Sequence, residues 1–159
     1  MRKTLVYASK NVDGVSGDGN GKEVKIAPYY NGNWLQVIRL PTSERHILCD
    51  KMVEIANNNN IGYNMNDRYS LLTKSKNCNF KDVKVKCNVD CSSMVMIALT
   101  KVFPKNKVLY KNVYGTTTYN MVNILKKCEL PIKIYNFKSQ TQLKKGDILL
   151  AENHVVVVK

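Results

Sequence analysis

The chain has 159 residues, 44% of them hydrophobic, and carries 25 Lys and Arg against 12 Asp and Glu, a formal net charge of +13. Such a length and composition suit one globular unit with a sizeable core, and they exclude a disordered chain and a membrane-spanning apolar run. The basic excess points to an anionic partner, yet the lysines are dispersed and only Arg39, Arg45 and Arg68 lie beyond Arg2, so diffuse attraction is expected rather than specific nucleic-acid reading.

The opening "MRKTLVYASKNVDG" has a basic tip but too few apolar residues for a secretory signal. The protein is therefore expected to be made in the cytoplasm. Residues 11–33 read as a Gly/Asn-rich loop, a strand within "KEVKIAPYY" and a turn. The "GDGNGK" string fails the phosphate-loop template, because Glu23 follows Lys22 where Ser or Thr is required. It also lacks the closing glutamate of a calcium loop.

Residues 43–57 read as a helix capped by Ser43, with Glu44 in its first turn and Ile47, Leu48, Met52, Val53, Ile55 and Ala56 on the apolar face. His46, inside it, reads as structural or exposed. The "NNNN" of residues 57–60 ends this helix, and residues 61–87 read as irregular, with a short strand near "FKDVKVKC". A second helix is expected to begin close to Cys91 and run through "SSMVMIALTKVF" until Pro104, and a third over 116–128 with a threonine cap and lysines in its last turn. The tail "GDILLAENHVVVVK" reads as two strands joined by a short connection. The class is α+β, one domain over 1–159, with the glycine-rich loop and strand region 1–42 packed on the core.

Cys91 reads as a core thiol, a metal ligand or a nucleophile. Cys49, Cys78, Cys87 and Cys128 complete an odd set of five cysteines, so at least one thiol is unpaired, and reduced thiols are expected. Spacings of nine and four among Cys78, Cys87 and Cys91, with no C-x-x-C pair, make a poor zinc pattern. No G-x-S-x-G elbow is present, and nothing marks a catalytic carboxylate pair. At a helix start, Cys91 would meet unpaired N–H groups and the positive end of the macrodipole, which are expected to lower its pKa and to stabilise an oxyanion. His154 opens the apolar strand "HVVVV" and supplies the complementary base. Asp90, Ser92 and Ser93 would surround the thiol.

These residues carry a resemblance. "VDCSSMV" resembles the cysteine segment of the NlpC and CHAP classes of cell-wall cysteine peptidases and amidases, and "GDILLAENHVVVV" resembles their histidine segment, in the same order. "IGYNM" resembles the tyrosine-containing segment, which makes Tyr63 a substrate-binding candidate. "GKEVKIAPYYN" is similar to small phage- or prophage-encoded members. The resemblance, over roughly residues 60–159, implies a papain-like fold with helices on a small antiparallel sheet. It also implies cleavage of peptide or amide bonds in bacterial peptidoglycan, with Cys91 as nucleophile, His154 as base, and Tyr63, Asp90 and Ser92 shaping the pocket. No cofactor or metal is implied. Peptidoglycan and anionic wall polymers are the implied partners, and a monomer acting at the wall after release is expected. Family members carry a third polar residue on the strand after the histidine. Here Lys159 stands five residues past His154, so Asn153 or a backbone carbonyl is expected to orient the ring, unless the chain is truncated. The competing readings are a non-catalytic basic module for nucleic acid or envelope, and a papain-like protease acting on a protein substrate.

Overall fold

The computed structural model describes residues 2–10 and 15–159. The first part of the expected glycine loop, residues 11–14, lies outside the described residues. Among those described, the elements run β1 (Thr4–Ala8), β2 (Val24–Pro28), β3 (Gln36–Arg39), α1 (Thr42–Ala56), β4 (Ile61–Tyr63), α2 (Ser70–Lys74) and β5 (Cys87–Val89). They continue with α3 (Cys91–Val102), α4 (Lys107–Asn112), α5 (Met121–Lys127), β6 (Lys133–Asn136), β7 (Ile148–Leu150) and β8 (Val155–Val158). Six strands form an antiparallel sheet in the order β2-β1-β8-β7-β3-β6, while β4 and β5 pair in parallel. The α+β class and the helices packed on an antiparallel sheet are as expected.

The centre of the sheet is apolar on both faces, which explains the four consecutive valines of β8. Val155 and Val157 enter the larger core with Val6, Ile38, Ile148 and Leu150. Val156 and Val158 enter a second cluster with Leu5, Tyr7, Trp34, Val37 and Leu149. This is the period-2 alternation of a strand covered on both sides. The larger core is closed by α1 and α3, which pack on each other and on the sheet. Met94 to Leu99 of α3 are all fully buried, so this helix is apolar all round because protein surrounds it.

Several local expectations change. The helix cap is not Ser43: Pro41 holds the N-cap position, and the Ser43 hydroxyl donates to Glu44 at 2.8 Å. Ile47 is exposed, not on the buried face; His46 is exposed. Residues 61–87 are ordered by β4, α2 and short 3-10 turns, and only Cys87 of "FKDVKVKC" belongs to a strand. The third helix starts at Met121, after Asn120 rather than a threonine, because residues 116–120 serve as a bonded connection in which Thr117 N–H donates to Asn120 Oδ1 at 2.7 Å. The region 1–42 does not merely pack on the core, since it supplies β1, β2 and β3 to the sheet itself.

Two glycines permit close approaches between segments. A Cβ on Gly62 would lie 2.2 Å from the Gly17 carbonyl oxygen, so only glycine lets the loop before β2 lie against β4. Gly146, at φ +84°, brings the β6–β7 connection against the start of α1, where a Cβ would meet the Arg45 carbonyl oxygen at 2.0 Å.

Candidate active site

The start of α3 is fixed by a capping box. Asp90, in extended backbone, accepts the Ser93 N–H at 2.8 Å, and the Asp90 N–H donates to Ser93 Oγ at 2.8 Å. With the apolar run pulling the following turns into the core, Cys91 becomes the first helical residue and stays half-buried at the surface of that core. Its sulfur lies against the backbone amides of Ser92 and of Val155, the residue directly after His154. The candidate base thus directly precedes β8, whose first residue carries the amide that meets the thiol.

The electrostatics differ from expectation. Burial pushes the Cys91 thiol above its ordinary value, and the Asp90 carboxylate adds to the shift. The Val155 and Ser92 amides and the Arg68 charge pull the other way and do not prevail. The helix end does favour thiolate, as its geometry suggests, but the capping carboxylate sits at the same end and the sulfur is removed from water.

Arg68 is the functional neighbour that sequence reasoning missed. Its Nε lies 3.2 Å from Asp90 Oδ2 as an ion pair without the alignment of a hydrogen bond. Nη2 donates to Ser92 Oγ at 3.3 Å and to the Thr116 carbonyl, and the guanidinium lies 4.8 Å from the Tyr69 ring centre. Ser92 Oγ in turn donates to Asp90 Oδ1 at 3.2 Å. Asp90, Ser92 and Ser93 are all buried, so their polar atoms hold the helix start instead of lining an open pocket. A lone arginine in a segment that reads as irregular gave no signal.

His154 is half-buried, and among the described residues its ring forms no hydrogen bond. Aromatic packing fixes it. The Trp34 ring is stacked on it, with centres 6.1 Å apart and planes 28° apart, and Tyr7 meets it edge-on at 5.4 Å and 90°. Trp34 is held in turn by a bond from Nε1 to the Tyr30 carbonyl at 3.2 Å. Tyr30 contacts both Tyr7 and Trp34 at 5.6 Å. Its phenol is raised by burial and further by the Tyr7 and Cys91 charges. Burial holds the His154 pKa below its ordinary value. Asn153, the expected orienting residue, is exposed and turned elsewhere: its Oδ1 accepts the Tyr119 hydroxyl at 2.6 Å.

Tyr63 is half-buried at the end of β4 and close enough to Cys91 and Asp90 for their charges to raise its phenol, after the larger effect of burial. Its N–H donates to Glu23 Oε2 at 3.3 Å. The remaining cysteines lie apart. All five are free thiols, and burial carries Cys87 up to about 12. Among the described residues no group of three His, Cys, Asp or Glu is placed to hold a metal ion, and no helix is long and apolar enough to cross a membrane.

Among known families, the model described as "Endolysin-like domain" (ELLD) matches residues 8–159, from the last residue of β1 onward, and so takes in β2 to β8 and every described helix. No curated protein and no solved structure matches the chain.

Proposed function

The chain belongs to the endolysin-like domain family, and from that premise we propose that it is a cysteine hydrolase of bacterial peptidoglycan, with Cys91 as nucleophile and His154 as general base. The observation that carries this reading is the place of the Cys91 sulfur, at the start of α3 and against the amide of the residue after His154. Family membership supports a cell-wall substrate. The cysteine chemistry, the NlpC/CHAP kinship and a papain-like origin rest on the motif order and on this placement.

Burial raises the thiol and lowers the imidazole, so the resting pair is neutral and the proton moves during attack. His154 takes the Sγ proton as sulfur bonds to the carbonyl carbon and the carbonyl electron pair moves onto oxygen. The Ser92 and Val155 amides are the donors for that oxyanion. Collapse breaks the carbon–nitrogen bond, and the leaving amine takes its proton from the imidazolium. Water, deprotonated by His154, then cleaves the thioester, which frees the new carboxylate and restores the thiol. Arg68 acts through Asp90 and Ser92 as a positioning residue, and the Trp34–Tyr7 cluster takes the place of a polar orienting residue. Tyr63 faces substrate beside the thiol, while Asp90, Ser92 and Ser93 shape that wall from behind.

The scissile bond is either a peptide bond of the stem or the amide of N-acetylmuramoyl-L-alanine. The reaction needs no cofactor, and a monomer acting at the wall after release suffices. Purified protein incubated with bacterial sacculi should release peptides and new amino groups, and Cys91→Ala should release none. Equal release by the variant would sink the assignment.

A further inference from the structure

The sheet carries a second feature at the end remote from Cys91. Trp34 and His154 mark one end of β3, β7 and β8. At the other end, Arg39 closes β3, Lys133 opens β6 and Lys144 precedes β7. Between them and the start of α1 lies a cavity of about 320 Å³, lined by Arg39, Arg45, Lys133, Lys144, Thr42 and Tyr135 among others.

The charge in this cavity is unbalanced. Arg39 is matched: Nε and Nη2 bond the two oxygens of fully buried Asp147 at 2.7 and 2.6 Å, and Asp147 also accepts the Lys144 N–H at 2.7 Å. Arg45 is not matched. It is 6% exposed, and its bonds go to neutral oxygens, the Lys145 carbonyl at 2.7 Å and Thr42 Oγ1 at 3.2 Å. Its Nε has no hydrogen-bond partner among the described residues. The exposed amines of Lys133 and Lys144 form no ion pair among the described residues. Of the carboxylates nearby, Asp50 pairs with Lys145 at 3.5 Å, while Glu44, in the first turn of α1, accepts only the neutral Ser43 hydroxyl and offsets part of the positive charge. α1, 15 residues long, begins here without a side-chain cap, so its first N–H groups and dipole add to the positive potential. A buried guanidinium without a counter-charge is costly, and an anion that reaches it removes that cost.

We propose that this cavity is a binding site for phosphodiester groups of an anionic wall polymer, a polyol phosphate, separate from the hydrolytic centre. The unpartnered Arg45 Nε–H, two exposed ammonium groups and a helix N-terminus suit a tetrahedral oxyanion. Nucleic acid suits it less, because the one aromatic ring lining the cavity, Tyr135, already has Arg39 over one face at 5.2 Å from the ring centre, and no second ring stands beside it to stack a base. The choice of a wall polymer rests on the peptidoglycan reading. The anion site itself rests on the cavity alone. Its consequence is retention of the protein on the wall, with the opposite end of the sheet free for hydrolysis.

Titration with lipid-free poly(glycerol phosphate) at fixed ionic strength tests this, with all proteins carrying Cys91→Ala so that no catalysis intervenes. The double variant Lys133→Gln/Lys144→Gln should lose roughly tenfold in affinity, on the scale of one or two lost phosphate contacts. Lys105→Gln/Lys107→Gln, of equal net charge and on exposed positions outside the cavity, should stay within about twofold of the parent. Inorganic phosphate should shift the Arg45 Nε–H resonance in the parent. Equal losses in the two double variants, an unmoved Arg45 resonance, or tighter binding of a single-stranded oligonucleotide than of the polyol phosphate would each overturn the proposal. None of these readouts depends on whether Cys91 is a nucleophile.

Discussion

Arg68 sits 3.2 Å from Asp90, the residue that caps the helix on which Cys91 stands. The pair is nearly withdrawn from water, with side chains 15% and 5% exposed. Removing one member strands the other as a buried charge, a change that typically costs about 3 kcal/mol. Arg68→Gln should therefore lower stability by about that amount in urea unfolding. Arg68→Lys, which restores the charge but not the fork to Ser92 and Thr116, should recover only part of it. A loss under about 0.5 kcal/mol would show the pair to be a surface contact in effect.

The same pair sets the reactivity of Cys91. Burial and the Asp90 charge hold the thiol above its ordinary value, so the alkylation rate of Cys91 with iodoacetamide should inflect above about 8.5, the value of a free cysteine. Asp90→Asn keeps an oxygen for the Ser93 N–H but removes the charge, and the inflection should move down. Arg68→Gln removes a compensating charge and should move it up. Opposite movements in the two variants are the signature to look for; movement in the same direction would place the origin in a general loosening of α3.

His154 brings a pH dependence whose sign follows from its burial. Its folded pKa lies below the ordinary value near 6.5. Below that pH the unfolded chain takes up a proton that the folded ring resists. The stability contribution is complete above about 6.5 and is lost as pH falls through the lowered folded value. His154→Gln should flatten this part of the stability profile, measured as urea midpoints between about pH 5 and 7.5. The acid limb of wall hydrolysis should fall at lower pH than for a free imidazole. Trp34→Ala unstacks the ring and should cost about tenfold in kcat, with Trp34→Phe recovering most of it; an unchanged kcat in Trp34→Ala would remove the positioning role.

What the sequence made legible was what local patterns encode. The run after Cys91 places α3 to within a residue or two of its observed span, Cys91 to Val102, because an apolar stretch bounded by Asp90 and Pro104 leaves little freedom. The tail strands were equally plain, since four valines and a polar "AEN" connection specify a hairpin. β1 and β3 were not legible: "TLVYA" and "QVIR" are four or five residues long, and each earns its place through partners far along the chain. For β1 that partner is β8, where Leu5 faces Val158. The environment of the site was hidden for the same reason. Arg68, Trp34 and Tyr7 come from three separate segments, and only the assembled sheet brings the last two to His154. The thiol's pKa was misjudged because helix position is visible in sequence whereas burial is not.

Gly62 offers the sharpest test of how the loop before β2 serves the site. An added methyl would lie 2.2 Å from the Gly17 carbonyl oxygen and 2.9 Å from the Asp18 nitrogen. That loop cannot yield freely. Gly17 N–H donates to Asn88 Oδ1 at 3.1 Å, Asp18 N–H to the Asn59 carbonyl at 2.8 Å, and the buried Asp18 carboxylate accepts the N–H groups of Lys22, Glu23 and Val24. Gly62→Ala should therefore destabilise by about 1–3 kcal/mol, as overpacking does. Because Glu23 bonds the Tyr63 N–H next to the thiol, the displaced loop should also raise KM for sacculi while kcat changes less. The alternative is a loop that swings clear without consequence. In that case Tm and KM would both match the parent, and the loop would have no part in holding Tyr63 at the site.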